Sequence, residues 1–225
     1  PSDIRPQHIV AVTLPDAMPW RLRALLRLPV RSAREKRAAL TARPTAKGIL
    51  PWAKLGRRRL PKAASRPTLD DTAVLQFTSG TTGRPKAAVL SHRNLRSNAA
   101  QSVAWVPDLV LGREVFYGVL PLFHAYGLTL CLTTALSIGA RIVLFPTFDV
   151  TMTIDAIRRT PPTFLPAVPP IYDALARATV RQKVDLSTLR NAISGAMALP
   201  ASTVQRWEAA TGGILGEDSV MPVSY

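Results

Sequence analysis

From Thr72 onward, short apolar runs alternate with segments whose apolar residues recur three or four positions apart. The short runs are bounded by turn residues, a pattern that is typical of buried strands. Strands are predicted at Ala73–Phe77, Ala87–Leu90, Val115–Leu120, Ala140–Phe145, Thr163–Leu165, Asn191–Ser194 and Gly213–Leu215. Because strands that alternate with helices form βαβ units on a parallel sheet, the predicted fold class is α/β.

The segments between these strands carry helix start and stop signals. Ser91 and Asp149 stand in N-cap positions directly before apolar residues with helical spacing. Pro170 and Pro200 are each predicted to open a helix, since proline is tolerated in the first helical turn. Gly212 is predicted to close the last of these helices.

The longest apolar stretch, Gly127–Phe145, is interrupted by Gly139 and Arg141. It is predicted to be a buried helix followed by a buried strand, and not a membrane span. Cys131, the one cysteine of the chain, lies in this stretch and is predicted to be a small buried hydrophobe rather than a nucleophile. A single cysteine excludes an internal disulfide and favours a reducing, cytoplasmic location.

The first third of the chain follows a different pattern. His8–Thr13 is predicted to be a strand and Ala17–Leu28 a short helix, whereas residues 31–68 are rich in Arg, Ala and Pro and read as a linking region with short helical pieces. We therefore predict a basic N-terminal segment at 1–68, a core at 69–215 and a divergent tail at 216–225.

Charge also separates the N-terminal segment from the rest of the chain. The 47% hydrophobic content permits a packed core. Residues 1–70 hold 16 Lys+Arg and 4 Asp+Glu, which gives +12, whereas residues 71–225 hold 13 and 10, which gives +3. A solvated linker is the favoured interpretation of the basic excess. Peripheral contact with an anionic membrane surface comes second, and nucleic acid is not expected because no recognition module is found.

One run of residues points to chemistry: residues 78–86 read Thr-Ser-Gly-Thr-Thr-Gly-Arg-Pro-Lys. Gly80 and Gly83 can adopt positive φ and bring bare backbone N–H groups close to an anion. The hydroxyls between them are donors, and Lys86 adds a mobile positive charge. The spacing is not that of a Walker A loop. A plain hairpin turn with a surface lysine is the alternative, but the full string favours phosphate binding.

This run, with its flanks at Leu75–Asn94, resembles the signature loop of the adenylate-forming (AMP-binding) superfamily. Three later segments are similar to further motifs of that family, in the family's order: Pro121–Leu128, Thr163–Leu175 and Leu189–Pro200. The sequences of these segments are most similar to those of the long-chain fatty acid–CoA ligases. The resemblance implies part of the adenylate-forming N-terminal domain, with ATP, Mg²⁺ and coenzyme A as cofactors and a fatty or other carboxylic acid as substrate.

The resemblance also implies roles for individual residues. The β- and γ-phosphates of ATP would be held by Thr78, Ser79, Gly80, Thr81, Thr82, Gly83 and Lys86, with Thr81 also near Mg²⁺. Adenine would lie along Ser194, Gly195, Ala196 and Met197, with Gly195 also at the acyl site. His124 would orient the substrate carboxylate or gate the acyl tunnel, which Val168, Pro169, Pro170 and Tyr172 would line. The alternative for His124 is a structural histidine. The alternative for Ser194–Met197 is an ordinary αβ connection, and for the residues of the acyl tunnel it is buried packing.

The end of the chain departs from the family pattern. The expected Tyr-Gly-x-Thr-Glu motif is replaced by residues 216–225, so Glu217 and Asp218 are not assigned a metal role. A shortened chain with impaired turnover is therefore expected. The predicted function is activation of a carboxylic acid to an acyl-adenylate and then to an acyl-CoA thioester. Alternatives are an inactive nucleotide-binding or regulatory remnant, and an acyl-AMP ligase that loads a carrier protein.

Overall fold

The computed structural model describes residues 9–41, 49–55, 66–78, 86–106 and 108–217. The chain divides into two compact units, Pro1–Arg66 and Pro67–Tyr225. This division lies near the boundary predicted from the sequence, and the roles assigned to the segments stay predictions.

Short elements make up the first unit. They are β1 (Val10–Ala11), α1 (Leu14–Ala17), α2 (Trp20–Leu25), α3 (Arg31–Ala39), β2 (Leu50–Pro51) and α4 (Trp52–Leu55). β1 and β2 pair in parallel. The predicted helix at Ala17–Leu28 is shorter than expected and begins at Trp20, because Pro19 has extended dihedrals (φ −52°, ψ 142°) and stands directly before it.

A five-stranded parallel sheet forms the centre of the second unit. Its strands are β5 (Val115–Gly118), β6 (Arg141–Leu144), β7 (Phe164–Ala167), β8 (Asn191–Ser194) and β9 (Leu215–Glu217), in the spatial order β6-β5-β7-β8-β9. The predicted parallel α/β sheet is therefore confirmed. Phe116 and Phe164, on neighbouring strands, stack with ring centroids 4.3 Å apart and anchor the core.

Helices connect these strands as the sequence predicts, except that the helix expected to open at Pro170 begins at Pro169, and Pro200 is the extended N-cap residue before its helix. The helices are α5 (His92–Trp105), a π-helix (Gly127–Thr133) that continues into α6 (Thr134–Ser137), α7 (Val150–Arg159), α8 (Pro169–Gln182) and α9 (Ala201–Thr211). Ser91 caps α5 by accepting a hydrogen bond from the Asn94 amide, and Asp149 caps α7 in the same way. Gly212 ends α9 in the left-handed conformation with φ 69°.

The first two predicted strands do not join the parallel sheet. β3 (Thr72–Thr78) and β4 (Lys86–Ser91) pair with each other in antiparallel register and form a separate hairpin. The short connection explains their antiparallel pairing, because a parallel crossover needs about a dozen residues or more and far fewer separate these two strands.

The apolar stretch at Gly127–Phe145 forms the predicted helix, which is largely buried, but the strand after it is not buried as predicted: β6 is an edge strand with Arg141 and Leu144 exposed. No helix among the described residues is long and apolar enough to cross a membrane. Cys131 is fully buried, and burial raises the pKa of its thiol to about 12, so at neutral pH it is a protonated core residue.

Candidate active site

The parallel sheet collects three of the four motif segments at one edge. The chain leaves β5 toward His124, leaves β7 at Val168, and leaves β8 at Gly195. Because β5, β7 and β8 are neighbours and parallel, their carboxyl ends lie side by side. Ligands of open α/β sheets bind outside this edge.

The fourth segment includes the hairpin of β3 and β4, which a hydrogen bond from Gln76 joins to Phe123 in the connection after β5. Thr78 and Lys86 are opposite each other in the register, so the strands deliver both ends of the signature run to one place. Lys86 lies at the exposed start of β4. Ser79, Gly80, Thr81, Thr82 and Gly83 lie outside the described residues, so their predicted phosphate contacts, including the metal role of Thr81, stay predictions.

A side-chain contact ties the hairpin to the second motif. Gln76, in the middle of β3, donates a hydrogen bond from Nε2 to the carbonyl oxygen of Phe123 at 2.9 Å. Phe123 immediately precedes His124, and its own ring is 82% exposed. The sequence gives one signal for Gln76, a polar residue inside an apolar strand, but its partner follows only from the fold.

His124 lies on a tight turn whose shape depends on a glycine. The His124 amide donates to the carbonyl of Pro121 at 3.1 Å, and the Tyr126 amide donates to His124 Nδ1 at 3.3 Å. Nδ1 is therefore an acceptor, which in the neutral ring places the proton on Nε2. An added Cβ on Gly127 would lie 2.2 Å from the Pro121 oxygen, so the turn closes only around a glycine. The imidazole is exposed at the site edge, where it can meet a carboxylate.

The segment Ser194–Met197 has the features of a ligand-facing connection. Ser194 is fully buried, and its Oγ has no hydrogen-bond partner among the described residues. The Gly195 amide donates to the carbonyl of Ala167 at 3.2 Å, which joins the ends of β8 and β7. Ala196 has φ 63°, and Met197 is 55% exposed. A left-handed alanine is strained, and such strain is concentrated at functional sites.

The strain at Ala196 leads to a stability prediction. Replacing Ala196 with glycine should raise the free energy of unfolding by roughly 0.5–1 kcal/mol, since the left-handed penalty exceeds the added chain entropy of glycine. Urea unfolding followed by circular dichroism measures the change. The control is Ala201→Gly at the start of α9, which should lower stability. A loss of stability at both positions would contradict the prediction.

Val168 and Tyr172 lie at the beginning of α8. Val168 is partly buried and is the N-cap residue, with its carbonyl accepting from the Ile171 amide at 2.9 Å. Tyr172 is fully buried, and its ring meets Trp207 edge to face at 4.8 Å between centroids. Burial raises the pKa of Tyr172 well above its usual value, so its phenol remains a hydrogen-bond donor. Their predicted place in the acyl tunnel stays a prediction.

The described residues contain no cluster of three or more His, Cys, Asp or Glu that could hold a metal ion. Among the residues that the structure describes, the possible donors at this edge include the buried Ser194 hydroxyl and the lysine at the start of β4. Such a donor set suits phosphate oxygens rather than a naked cation.

The family model of AMP-binding enzymes matches residues 6–218. The chain belongs to the AMP-binding enzyme family. This confirms the resemblance that the signature run and the three later motifs predict.

Curated relatives of this family member are acid–CoA ligases with different substrates. A long-chain-fatty-acid–CoA ligase of Bacillus subtilis (strain 168) is 40% identical over 147 residues, which is 65% of this chain and 26% of that protein. The 4-coumarate–CoA ligase 1 of Arabidopsis thaliana is 39% identical over 132 residues, 58% of this chain and 24% of that protein. The chain thus spans about a quarter of the length of these relatives.

Solved structures of the family share the fold. Apo MatB from Rhodopseudomonas palustris superposes with a TM-score of 0.59 at 28% identity, over 83% of this chain and 32% of that protein. The anthranilate CoA ligase AuaEII, in complex with anthranoyl-AMP, gives a TM-score of 0.66 at 24% identity over 83% of this chain and 38% of that protein.

Proposed function

We propose that this chain is the nucleotide- and acyl-binding part of an ATP-dependent acid–CoA ligase. One arrangement supports the proposal: the His124 turn, Val168 and the Ser194–Met197 segment follow neighbouring parallel strands, and Gln76 of the signature hairpin donates a hydrogen bond to Phe123 next to His124. An ATP-bound MatB structure is among the family members that superpose on the chain, with a TM-score of 0.57 at 28% identity.

The proposed reaction has two steps, formation of an acyl-adenylate and formation of a thioester. A carboxylate oxygen of the acid attacks the α-phosphorus of ATP, and pyrophosphate leaves with the electrons of the broken P–O bond. The thiol sulfur of coenzyme A then attacks the acyl carbon of the adenylate, the thiol proton passes to solvent, and AMP leaves with the electrons of the broken acyl carbon–oxygen bond. In the first step Lys86 and the hydroxyls of residues 78–83 would neutralise the charge that builds on pyrophosphate.

The remaining residues have binding roles in this proposal. His124 would donate from Nε2 to the substrate carboxylate and align it for in-line attack. Ser194–Met197 would receive adenine, and the unpartnered Ser194 Oγ supplies a donor on that side. Thr81 would help to hold Mg²⁺, which would supply positive charge to offset that of the phosphates.

We propose a medium or long fatty acid as the substrate. Identity does not separate this class from aromatic acids, because the fatty-acid and 4-coumarate ligases are 40% and 39% identical to the chain. Pyrophosphate exchange with palmitate, decanoate and 4-coumarate, in the protein produced from its complete gene, decides between them. We further propose that the protein is cytoplasmic, with residues 1–68 available for contact with anionic membranes.

Substitution of Lys86 tests the nucleotide site. Lys86→Ala should weaken ATP binding about 30-fold, because a charge-assisted contact to phosphate contributes about 2 kcal/mol. Isothermal calorimetry with ATP and Mg²⁺ measures the affinity, and circular dichroism checks the fold. Lys36→Ala removes the same charge from an exposed position on α3 and should leave the affinity unchanged.

The same experiment separates the proposal from its alternatives. Equal ATP affinity in the parent and in Lys86→Ala would favour an inactive remnant and overturn the nucleotide assignment. If exchange is active, supplying coenzyme A or a phosphopantetheine-bearing carrier protein shows which thiol accepts the acyl group.

A further inference from the structure

Two tyrosines from different motifs donate hydrogen bonds to the same backbone carbonyl. Tyr126, at the end of the His124 turn, donates from Oη to the carbonyl of Ile193 at 2.7 Å. Tyr172, in the first turns of α8, donates to the same oxygen at 3.0 Å. Tyr172 also donates to the carbonyl of Leu165 on β7 at 2.5 Å, so its phenol proton is shared between two carbonyls. We call this arrangement, Tyr126–Ile193–Tyr172, the tyrosine bridge.

The shared acceptor stands at a sensitive position. Ile193 is the last residue before Ser194, where β8 ends and the candidate adenine segment begins. Beyond it the chain turns through the left-handed Ala196 (φ 63°). A strained backbone conformation persists only where the surroundings fix it, and the carbonyl of Ile193 is a point at which side chains can do so.

Tyr126 also reaches the other half of the site. Its backbone amide donates to His124 Nδ1, while its phenol donates to the carbonyl of Ile193. One residue therefore orients the imidazole and also holds the end of β8. Gln76 extends the connection, because it holds the carbonyl next to His124 from the hairpin side. The four motif segments are thus joined by side-chain hydrogen bonds to backbone carbonyls.

We propose that Tyr126 and Tyr172 are positioning residues that hold the Ser194–Met197 segment in place relative to the His124 turn. Their consequence for nucleotide binding rests on the proposed function, but the positioning itself does not. The competing explanation is that the two rings only fill the core, in which case the phenol oxygens are dispensable. Phenylalanine separates the two, because it keeps the ring and removes the hydroxyl.

Hydrogen exchange tests the positioning without any ligand. In Tyr126→Phe and Tyr172→Phe the amides of residues 194–197 should exchange about fivefold faster, the factor that corresponds to one net hydrogen bond. In the double variant the increase should be at least the product of the two single effects, because the Ile193 carbonyl then loses both phenol donors.

Tyr117→Phe is the matched control. Tyr117 is also fully buried and also donates its phenol to a backbone carbonyl, that of Thr160 at 2.8 Å. Thr160 precedes β7, at the amino end of the sheet and away from the candidate site. This variant should lose similar thermal stability but leave exchange at residues 194–197 unchanged.

Ligand binding supplies the second measurement, with AMP and inorganic pyrophosphate as probes. The bridge variants should bind AMP about fivefold more weakly and pyrophosphate as the parent does, since pyrophosphate would engage residues 78–86 alone. A general loss of folding would weaken the binding of both probes together.

Unchanged exchange in both single variants and in the double variant, or an equal change in Tyr117→Phe, would overturn the proposal. A parent that binds neither probe would refute the proposed function, while the exchange result still decides the bridge.

Discussion

Gly127→Ala is expected to lower the free energy of unfolding by about 3 kcal/mol, the upper range for overpacking a rigid site. The added Cβ would lie 2.2 Å from the carbonyl oxygen of Pro121 and 2.9 Å from its carbon. Both atoms belong to the backbone, so no side-chain rotation relieves the clash. The turn that carries His124 must therefore open, and ATP-dependent activation should fall with it.

Urea unfolding measures the stability change, and Gly216→Ala is the control. Gly216 is exposed in β9, and a Cβ there would meet only the Ala192 oxygen at 3.8 Å, an ordinary contact. The control should unfold at the midpoint of the parent. If Gly127→Ala did the same, the turn would tolerate a side chain and the proposed geometry around His124 would be wrong.

The sequence predicts the parallel sheet well because its signals are local. Asn191–Ser194 is a strand with the predicted bounds, and Ser91 and Asp149 cap the helices that their hydroxyl and carboxylate predict. The alternation of elements indicates parallel strands, but it does not give their order or their pairing. The hairpin of β3 and β4 shows this limit: both strands are predicted, and the short connection between them excludes only their parallel pairing with each other, not a place beside β5.

The candidate site could be predicted as a set of motif segments, but not as a set of contacts. Ser194 and His124 follow from their segments because Ser194 ends β8 and His124 lies in the connection that follows β5 of the same parallel sheet. The contacts of Gln76 with Phe123 and of Tyr126 with Ile193 join residues far apart in the chain, and no local pattern encodes them. The buried carboxylate of Glu114 was missed for the same reason, since it directly precedes a predicted strand and reads as a boundary residue.

Arg190→Met is expected to lower the free energy of unfolding by about 3 kcal/mol. Its guanidinium donates to Oε1 of Glu114 at 2.5 Å, and the Glu114 side chain is 0% exposed. Removing the cation leaves a buried carboxylate with two neutral donors, the Val110 amide and the Thr163 hydroxyl. We place the cost at the lower end of the range for buried pairs, because Arg190 itself is 44% exposed and partly screened by water.

The position of this ion pair determines which measurement should change. Glu114, Thr163 and Arg190 precede β5, β7 and β8, so they clamp the amino ends of three neighbouring strands, opposite the candidate site. Arg190→Met should therefore shift the urea midpoint strongly and leave the affinity of the folded protein for ATP unchanged. The additional change Glu114→Gln should restore part of the stability, because it removes the uncompensated charge and keeps an acceptor for the amide and the hydroxyl.

An exposed ion pair provides the contrast. Arg93 binds both carboxylate oxygens of Asp70 at 2.9 and 3.0 Å, with side chains 56% and 76% exposed. Arg93→Met removes the same kind of contact in water and should leave the midpoint close to that of the parent. Equal shifts in Arg93→Met and Arg190→Met would mean that burial of Glu114 adds nothing. A double variant no more stable than Arg190→Met would show that the cost comes from lost packing of the arginine stem rather than from the unpaired charge.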